Sequence, residues 1–289
     1  MIHSINNTKG ILWMTLASLT LSLMSFVVNK VNFHIPTIQI LFLSSLVTFG
    51  IVVIYLLLRE QKLPVAEYQH LYIVRALFST ISMAMWFRVL QILPVTETMA
   101  ISYITPLLNM VAALLILKEK AKSHHLLAVL VGFAGAMLII HPIFQGEREG
   151  YVLALFTVII WVVGDVLMKI QSRSARVITQ CFYTNLFALL FMLPFAYYYW
   201  QTPTTIEIAW VIVIGLIQAL NLVAIFKAYS LADMVVIVPL DFTRLLFTMI
   251  LAYLIYAETI NRTSMLGALI ILFSTYYLAA RERYKVSTV

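Results

Sequence analysis

Apolar residues recur along this chain in ten long stretches, punctuated by short clusters of Pro, Gly and charged residues. Cutting at those clusters gives Ile11 to Val31, Ile38 to Leu58, Leu71 to Leu93, Thr96 to Leu117 and Leu126 to Pro142. Five more follow at Tyr151 to Ile170, Ile178 to Trp200, Ile208 to Leu231, Met234 to Tyr256 and Ser264 to Ala280. At about 1.5 Å of rise per residue, each can cross a hydrocarbon core of about 30 Å as a helix. The pattern therefore predicts an all-α polytopic membrane protein with ten transmembrane helices. The longest connection, Arg59 to His70, leaves no room for an extramembrane catalytic or nucleic-acid-binding module.

The polar positions carry a second pattern. Sliding the chain on itself by 139 residues places Lys30 on Lys169, Phe87 on Phe226, Arg88 on Lys227 and Glu119 on Glu258 without a gap. The chain thus divides into two five-span repeats, 11–142 and 150–282. Because five is odd, the repeats enter the membrane in opposite senses, a design common among secondary transporters. The same shift sets Ser102, Thr105 and Asn109 on Asp241, Arg244 and Thr248, each trio on one helical face. It also sets Ser79 and Ser82 on Gln218 and Asn221, and Ser44 and Ser45 on Tyr183 and Thr184. Polar groups facing lipid are costly, so these stripes are expected to turn inward onto a central cavity. The fifth and tenth spans lack such a stripe. Ala128, Gly132 and Ala136 at four-residue spacing suit close helix packing at the periphery.

Composition and charge refine this picture. Of 289 residues, 63% are hydrophobic and 11% charged, where a soluble domain is about half apolar and a quarter charged. The net charge of +7 reads as topology. With the amino terminus inside, 14 Lys and Arg fall on the inner connections, from Lys9 to Lys285 and including Arg75. Only Lys30, Arg88, Arg148 and Arg262 fall outside, while Arg244 lies within a span. That bias predicts both termini cytoplasmic. The first stretch lacks a small-residue cleavage site after it and is expected to be retained. Cys181, the single cysteine, offers neither a disulfide framework nor a cysteine metal site.

Asp165, Asp241 and Arg244 are the ionisable residues deepest within spans, where each charge costs roughly 2.5–3.5 kcal/mol unless it faces a cavity or a partner. Asp241 and Arg244 either line a pocket or neutralise one another three residues apart. Asp165 either carries a coupling proton or pairs with Lys169. Asn109, Asn221 and Gln218 supply uncharged polarity beside them. Trp86 stands four residues after Ser82, and Trp161 four before Asp165, while Tyr103 and Phe242 adjoin the polar stripes. These rings suit a cavity wall against which a sulfonium or ammonium group gains about 0.5–2 kcal/mol, although packing would also account for each. Pro106 and Pro239 permit kinks in the fourth and ninth spans. Lys30, Arg88 and Lys227 lie near span ends, where long side chains snorkel. Glu97 is also terminal, and Glu119 and Glu258 are expected to cap or anchor. His124 and His125, being adjacent, are expected to point to different sides, against a metal site.

Leu93-Pro94, the run Ser102-Tyr103-Ile104-Thr105-Pro106-Leu107, Leu117-Lys118-Glu119 and Gly132-Phe133-Ala134-Gly135 resemble a first EamA repeat. Ala228-Tyr229-Ser230-Leu231-Ala232, Pro239-Leu240-Asp241-Phe242-Thr243-Arg244 and Tyr256-Ala257-Glu258 resemble the second. Nearly the whole chain is covered, and the resemblance implies the drug/metabolite transporter superfamily, with two inverted halves around a cavity. The Arg75 and Trp86 stretch and the Trp200-Gln201-Thr202-Pro203 turn are similar to the S-adenosylmethionine uptake group of intracellular bacteria. The expectation is a non-enzymatic secondary transporter in a bacterial inner membrane, without a cofactor, whose halves rock about a midplane pocket made by spans one, three, four, six, eight and nine. No ATP-binding motif is present, so a gradient or a counter-substrate would drive it. The cargo would be a zwitterionic or cationic metabolite, S-adenosylmethionine first and an amino acid second. An intramembrane enzyme would need a nucleophile-base or metal constellation that the sequence lacks, and a non-transporting receptor is the remaining class.

Overall fold

The computed structural model describes residues 6–31, 34–59, 64, 69–256 and 261–284, and every regular element among them is helical. The first half comprises α1 (Asn7–Val31), α2 (Thr37–Arg59), α3 (Gln69–Ile92), α4 (Val95–Ser102), α5 (Thr105–Leu115) and α6 (Ser123–Ile140). The second comprises α7 (Arg148–Ser174), α8 (Val177–Tyr198), α9 (Thr205–Leu231), α10 (Met234–Ile237), a 3-10 helix (Val238–Phe242), α11 (Thr243–Tyr256) and α12 (Arg262–Tyr284). With α4 and α5 joined as one span, and α10, the 3-10 helix and α11 as another, ten segments among the described residues are long and apolar enough to cross a bilayer. Glu258, Lys62 and Lys285 lie outside the described residues, as does the side chain of Lys30.

The two prolines do more than kink their spans. Pro106 sits in the first turn of α5, after α4 has ended and Tyr103-Ile104 have formed a turn. Pro239 likewise opens the 3-10 helix of the ninth span. Proline lacks an N–H and is tolerated in a first turn, so each residue fits at a helix start rather than within a continuous helix. The two interruptions coincide under the 139-residue shift, which carries Tyr103 onto Phe242. A broken helix in a membrane needs its loosened backbone groups satisfied internally. Ser18 donates to the Leu240 carbonyl at 3.4 Å, Ser22 to that of Arg244 at 3.0 Å, and Thr243 to Leu240 at 2.6 Å.

The principal helix pairings cross between halves and repeat under their exchange. α1 packs on α9 as α3 packs on α7; α1 meets α11 as α7 meets α5; α2 lies on α9 as α8 lies on α3. α2 with α8, and α6 with α12, pair with their own counterparts. The two sequence halves are therefore interleaved, and their main packing interfaces are with one another.

The α6–α12 contact depends on small residues. A Cβ on Gly267 would stand 2.6 Å from the Gly135 carbonyl oxygen, and one on Gly135 would stand 2.9 Å from that of Gly267. The counterpart of this contact is Ser274 donating to the Ala128 carbonyl at 2.9 Å. Outward side chains are large and apolar, Phe273 at 65% and Leu58 at 76% exposure among them, as a lipid-facing surface requires.

Candidate functional site

The broken fourth and ninth spans meet at their equivalent residues. Tyr103 and Phe242 stack with ring centroids 6.0 Å apart and planes at 20°. Both rings are buried, and a Cβ on Gly132 would fall 2.5 Å from the Phe242 ring, so α6 must carry a glycine there to approach so closely. Arg244 lies beside this stack. Its Nε donates to the Tyr103 hydroxyl at 3.2 Å, and its guanidinium carbon stands 5.1 Å from the Tyr103 ring centroid. The guanidinium is therefore held by span four and makes no ion pair within 4.0 Å with Asp241. Asp241 remains half-buried at the end of the 3-10 helix, near enough to Arg244 and Asp165 to act on both electrostatically. Of the two readings of this pair, close mutual neutralisation is the one the geometry does not show.

Asp165 of α7 accepts from the Asn109 side-chain amide of α5 at 2.7 Å. It does not pair with Lys169. The Lys169 ammonium donates instead to the carbonyls of Tyr229 and Ala232 at the end of α9 and lies 3.8 Å from Glu119. Although four residues apart is a favourable spacing for such a pair, the ammonium is drawn to the carbonyls of a helix C-terminus, where cations are favoured. The side-chain oxygen of Asn109 is buried with no hydrogen-bond partner, which leaves an acceptor beside Asp165.

Arg75 was counted with the inner connections, yet it stands six residues inside α3. Its guanidinium donates to Gln171 at 3.4 Å and Thr184 at 3.2 Å and lies 5.2 Å from the Phe226 centroid, with Asp165 and Tyr229 as electrostatic neighbours. The signal was present: Arg75, Ser79, Ser82 and Trp86 follow a four-three-four spacing and share one helical face. Two arginines and two aspartates thus surround this region, an electroneutral set contributed by α3, α7, the 3-10 helix and α11.

Trp86 and Trp161 pair with centroids 4.6 Å apart and pack against Val89, Leu93, Ile101, Ala154 and Val158. Trp161 lies one helical turn before Asp165. Gln218 and Asn221 behave differently. Gln218 donates to Ser45 of α2 at 3.2 Å, and Asn221 donates to the Ala17 carbonyl at 2.8 Å and to Thr20 at 3.0 Å, both on α1. Their amide donors tie α9 to its neighbours rather than meeting the charged groups.

The terminal acids anchor the connections. Glu119 accepts from the Val235 N–H at 3.0 Å and has Lys169 and Arg173 each 3.8 Å away. Burial raises its pKa above the ordinary 4.5, outweighing that N–H and both cations. Glu97 accepts from the N–H groups of Gln145 and Gly146 and from the Tyr151 hydroxyl at 2.6 Å, fastening the α6–α7 connection over α4. Arg88 donates to Gln91 at an exposed span end, while Lys227 places its ammonium 4.4 Å from the Trp13 ring centroid.

His124 and His125 do not point apart. Their Nε2 atoms lie 3.2 and 3.1 Å from the same Glu282 oxygen, and Asn7 donates to the other oxygen. Their rings meet edge to face with centroids 4.2 Å apart in the first turn of α6, which lets both reach the one oxygen. These three ligand-type side chains lie within reach of one ion. However, the Lys122 N–H donates to His125 Nδ1 at 3.1 Å, which makes Nε2 the proton-bearing nitrogen and the contact to Glu282 a hydrogen bond. The group clasps α1, α6 and α12 together.

Broken, symmetry-related helices with compensated charge at their junction define a multi-pass membrane protein built from two inverted repeats. The model of the EamA-like transporter family matches residues 8–141 and again 148–280, and the chain belongs to that family of transporters. It is similar to an S-adenosylmethionine uptake transporter of Rickettsia prowazekii (strain Madrid E), 25% identical over 284 residues, spanning 97% of this chain and 95% of the relative. It is also similar to a riboflavin transporter of Vibrio cholerae, 25% identical across 96% and 95% of the two chains. A pseudopaline exporter of Pseudomonas aeruginosa is 21% identical across 95% and 97%. A solved crystal structure superposes with a TM-score of 0.83 over 95% of this chain and 99% of the other, at 16% identity, and shows the shared fold.

Proposed function

We propose that the protein takes up a small zwitterionic or cationic metabolite across a bacterial inner membrane by alternating access, with S-adenosylmethionine as the first specific assignment. The observation that carries this reading is the half-buried set Arg75, Asp165, Asp241 and Arg244 beside the junction of the fourth and ninth spans. Its summed charge is zero, so an ammonium and a carboxylate can be held against it without stranding a net charge in a medium of low polarity, while the additional sulfonium of S-adenosylmethionine would rest on a ring face. Asp165 or Asp241 meets the ammonium or sulfonium, and Arg244 or Arg75 meets a carboxylate. Trp86 with Trp161, both only partly buried, offer ring faces for a cation or a flat heterocycle, whereas Tyr103 and Phe242, buried against one another, hold Arg244 in place. The names of the Rickettsia relatives support the cargo, and the excess of basic residues on the inner connections supports cytoplasmic termini.

The moving bodies in this reading are α1 with α9 and α11 on one side and α3 with α5 and α7 on the other, because those helices pack together across the halves. Radiolabelled S-adenosylmethionine should enter a heterologous host saturably and be competed by the unlabelled compound. Uptake no higher than the empty-vector control across expression-verified clones would remove this cargo. An amino acid, which has the ammonium and carboxylate of S-adenosylmethionine without its sulfonium, is the second reading, and countertransport in vesicles of purified protein separates the two.

A further inference from the structure

α2, α8 and α9 enclose a crevice of about 410 Å³. Its lining is graded. Arg176, Lys227 and Tyr55 stand at one end, and Val52, Cys181, Val223 and Ala219 form the deeper wall. Lys227, Val223 and Ala219 follow at successive four-residue steps of α9, so Ala219 lies about 12 Å farther along the helix axis than Lys227. The charged end is also the end of the spans: Arg176 directly precedes α8, and Lys227 is one turn from the last residue of α9. Ile54 and Leu58 of α2 and Leu216 and Leu220 of α9, which adjoin lining residues along their helices, are exposed and apolar, as the lipid-facing sides of these helices require. Among the described residues that line it, none is acidic.

Two cations at the level of the membrane interface above an apolar slot complement a phosphate carried on acyl chains. A water-soluble anion could meet the two cations from the aqueous side but would leave the apolar slot unfilled, whereas a phospholipid supplies both a phosphate and a chain. We propose that this crevice binds an anionic phospholipid, with its phosphate at Arg176 and Lys227 and one acyl chain lying along Val223 and Ala219. Lys227 over the Trp13 ring is directed to the interface by that contact, since cations and tryptophan both favour the headgroup level.

Native mass spectrometry of the full chain in mild detergent tests the site, with phosphatidylglycerol and phosphatidylcholine offered at equal concentration. Basic groups near an anionic headgroup contribute about a factor of five each, so phosphatidylglycerol should be retained roughly 30-fold more tightly. Arg176→Gln with Lys227→Gln should abolish that preference, and Val223→Trp, which fills the slot, should lower retention of both lipids. Arg88→Gln, which removes a cation at another span end, should leave the preference intact. Unfolding midpoints unchanged from the parent protein show that the variants are folded, and if Val223→Trp is not, the charge variants decide alone. Equal retention of the two lipids, a preference that survives the double charge substitution, or displacement of phosphatidylglycerol by glycerol 3-phosphate at matched concentration would overturn the proposal.

Discussion

Replacing Lys169 by methionine probes how the basic face of the bundle is held together. The side chains of Lys169 and Glu119 are only 6% and 4% exposed, and the ammonium bridges the carbonyls that close α9 to the carboxylate after α5. Methionine preserves most of the stem but leaves the two carbonyls and the carboxylate without that cation. Removing one partner of a buried pair costs about 3–5 kcal/mol. Arg173 compensates little, because it is 52% exposed and water screens it. The Val235 N–H continues to serve Glu119, so a loss near the lower end, about 3 kcal/mol, is expected. Reversible unfolding of purified protein in a detergent titration reads it, in a cycle with Glu119→Gln and the double variant. Neighbours that share an interaction couple by about 0.5–3 kcal/mol, so the double variant should be less destabilised than the two singles combined. The pH dependence has a definite sign. Burial raises the Glu119 pKa, so the folded chain holds this proton more tightly than the unfolded one. The resulting stability is complete below 4.5 and is lost as pH rises through the folded value. Glutamine does not ionise, so Glu119→Gln should gain on the parent protein as pH increases from 4 toward neutrality. A Lys169→Met variant within about 0.5 kcal/mol of the parent, with an additive cycle, would refute this account of the contact.

Other expectations concern the central region and the packing. Asp165→Asn should reduce uptake of the transported cation roughly 10- to 100-fold at subsaturating concentration, the scale of losing a hydrogen-bonded charge, while the purified protein stays folded; unchanged uptake would remove Asp165 from the site. Gly267→Val should destabilise by about 1–3 kcal/mol through its clash with the Gly135 carbonyl. Gly50→Ala, where a Cβ meets nothing within 4 Å, should be neutral or stabilising by up to about 1 kcal/mol in the same unfolding titration. Gln218→Ala and Asn221→Ala should lower the unfolding midpoint and leave the KM of uptake within about twofold, because their amides join helices; a large KM change with unaltered stability would return them to the binding site.

The number of spans and the symmetry of the halves were legible in the sequence because the bilayer imposes a length on every apolar run and because a shift of 139 residues needs no coordinates. The position of the central region was legible for a related reason. Ser102 to Asn109 and Asp241 to Thr248 are polar where polarity is expensive, and that cost is local to each span. Even the interruptions of the fourth and ninth spans were marked by Pro106 and Pro239, although the marks indicated kinks, where α4 passes through a two-residue turn into α5 and the ninth span tightens into a 3-10 helix.

Partner choice was decided only by the tertiary arrangement. Lys169 sits one turn from Asp165 in sequence but binds the end of α9; Arg75 looks like a boundary residue but reaches Gln171 and Thr184; Gln218 and Asn221 share a register with the site but bond to α2 and α1. His124 and His125 converge on Glu282, some 157 residues away, whatever their adjacency suggests. In each case a polar group in a bilayer must find a partner, and the sequence records that need. Which partner it takes depends on which helices the folded bundle brings within about 3 Å, and here those neighbours come from the opposite half of the chain for all but the carbonyls that Lys169 meets.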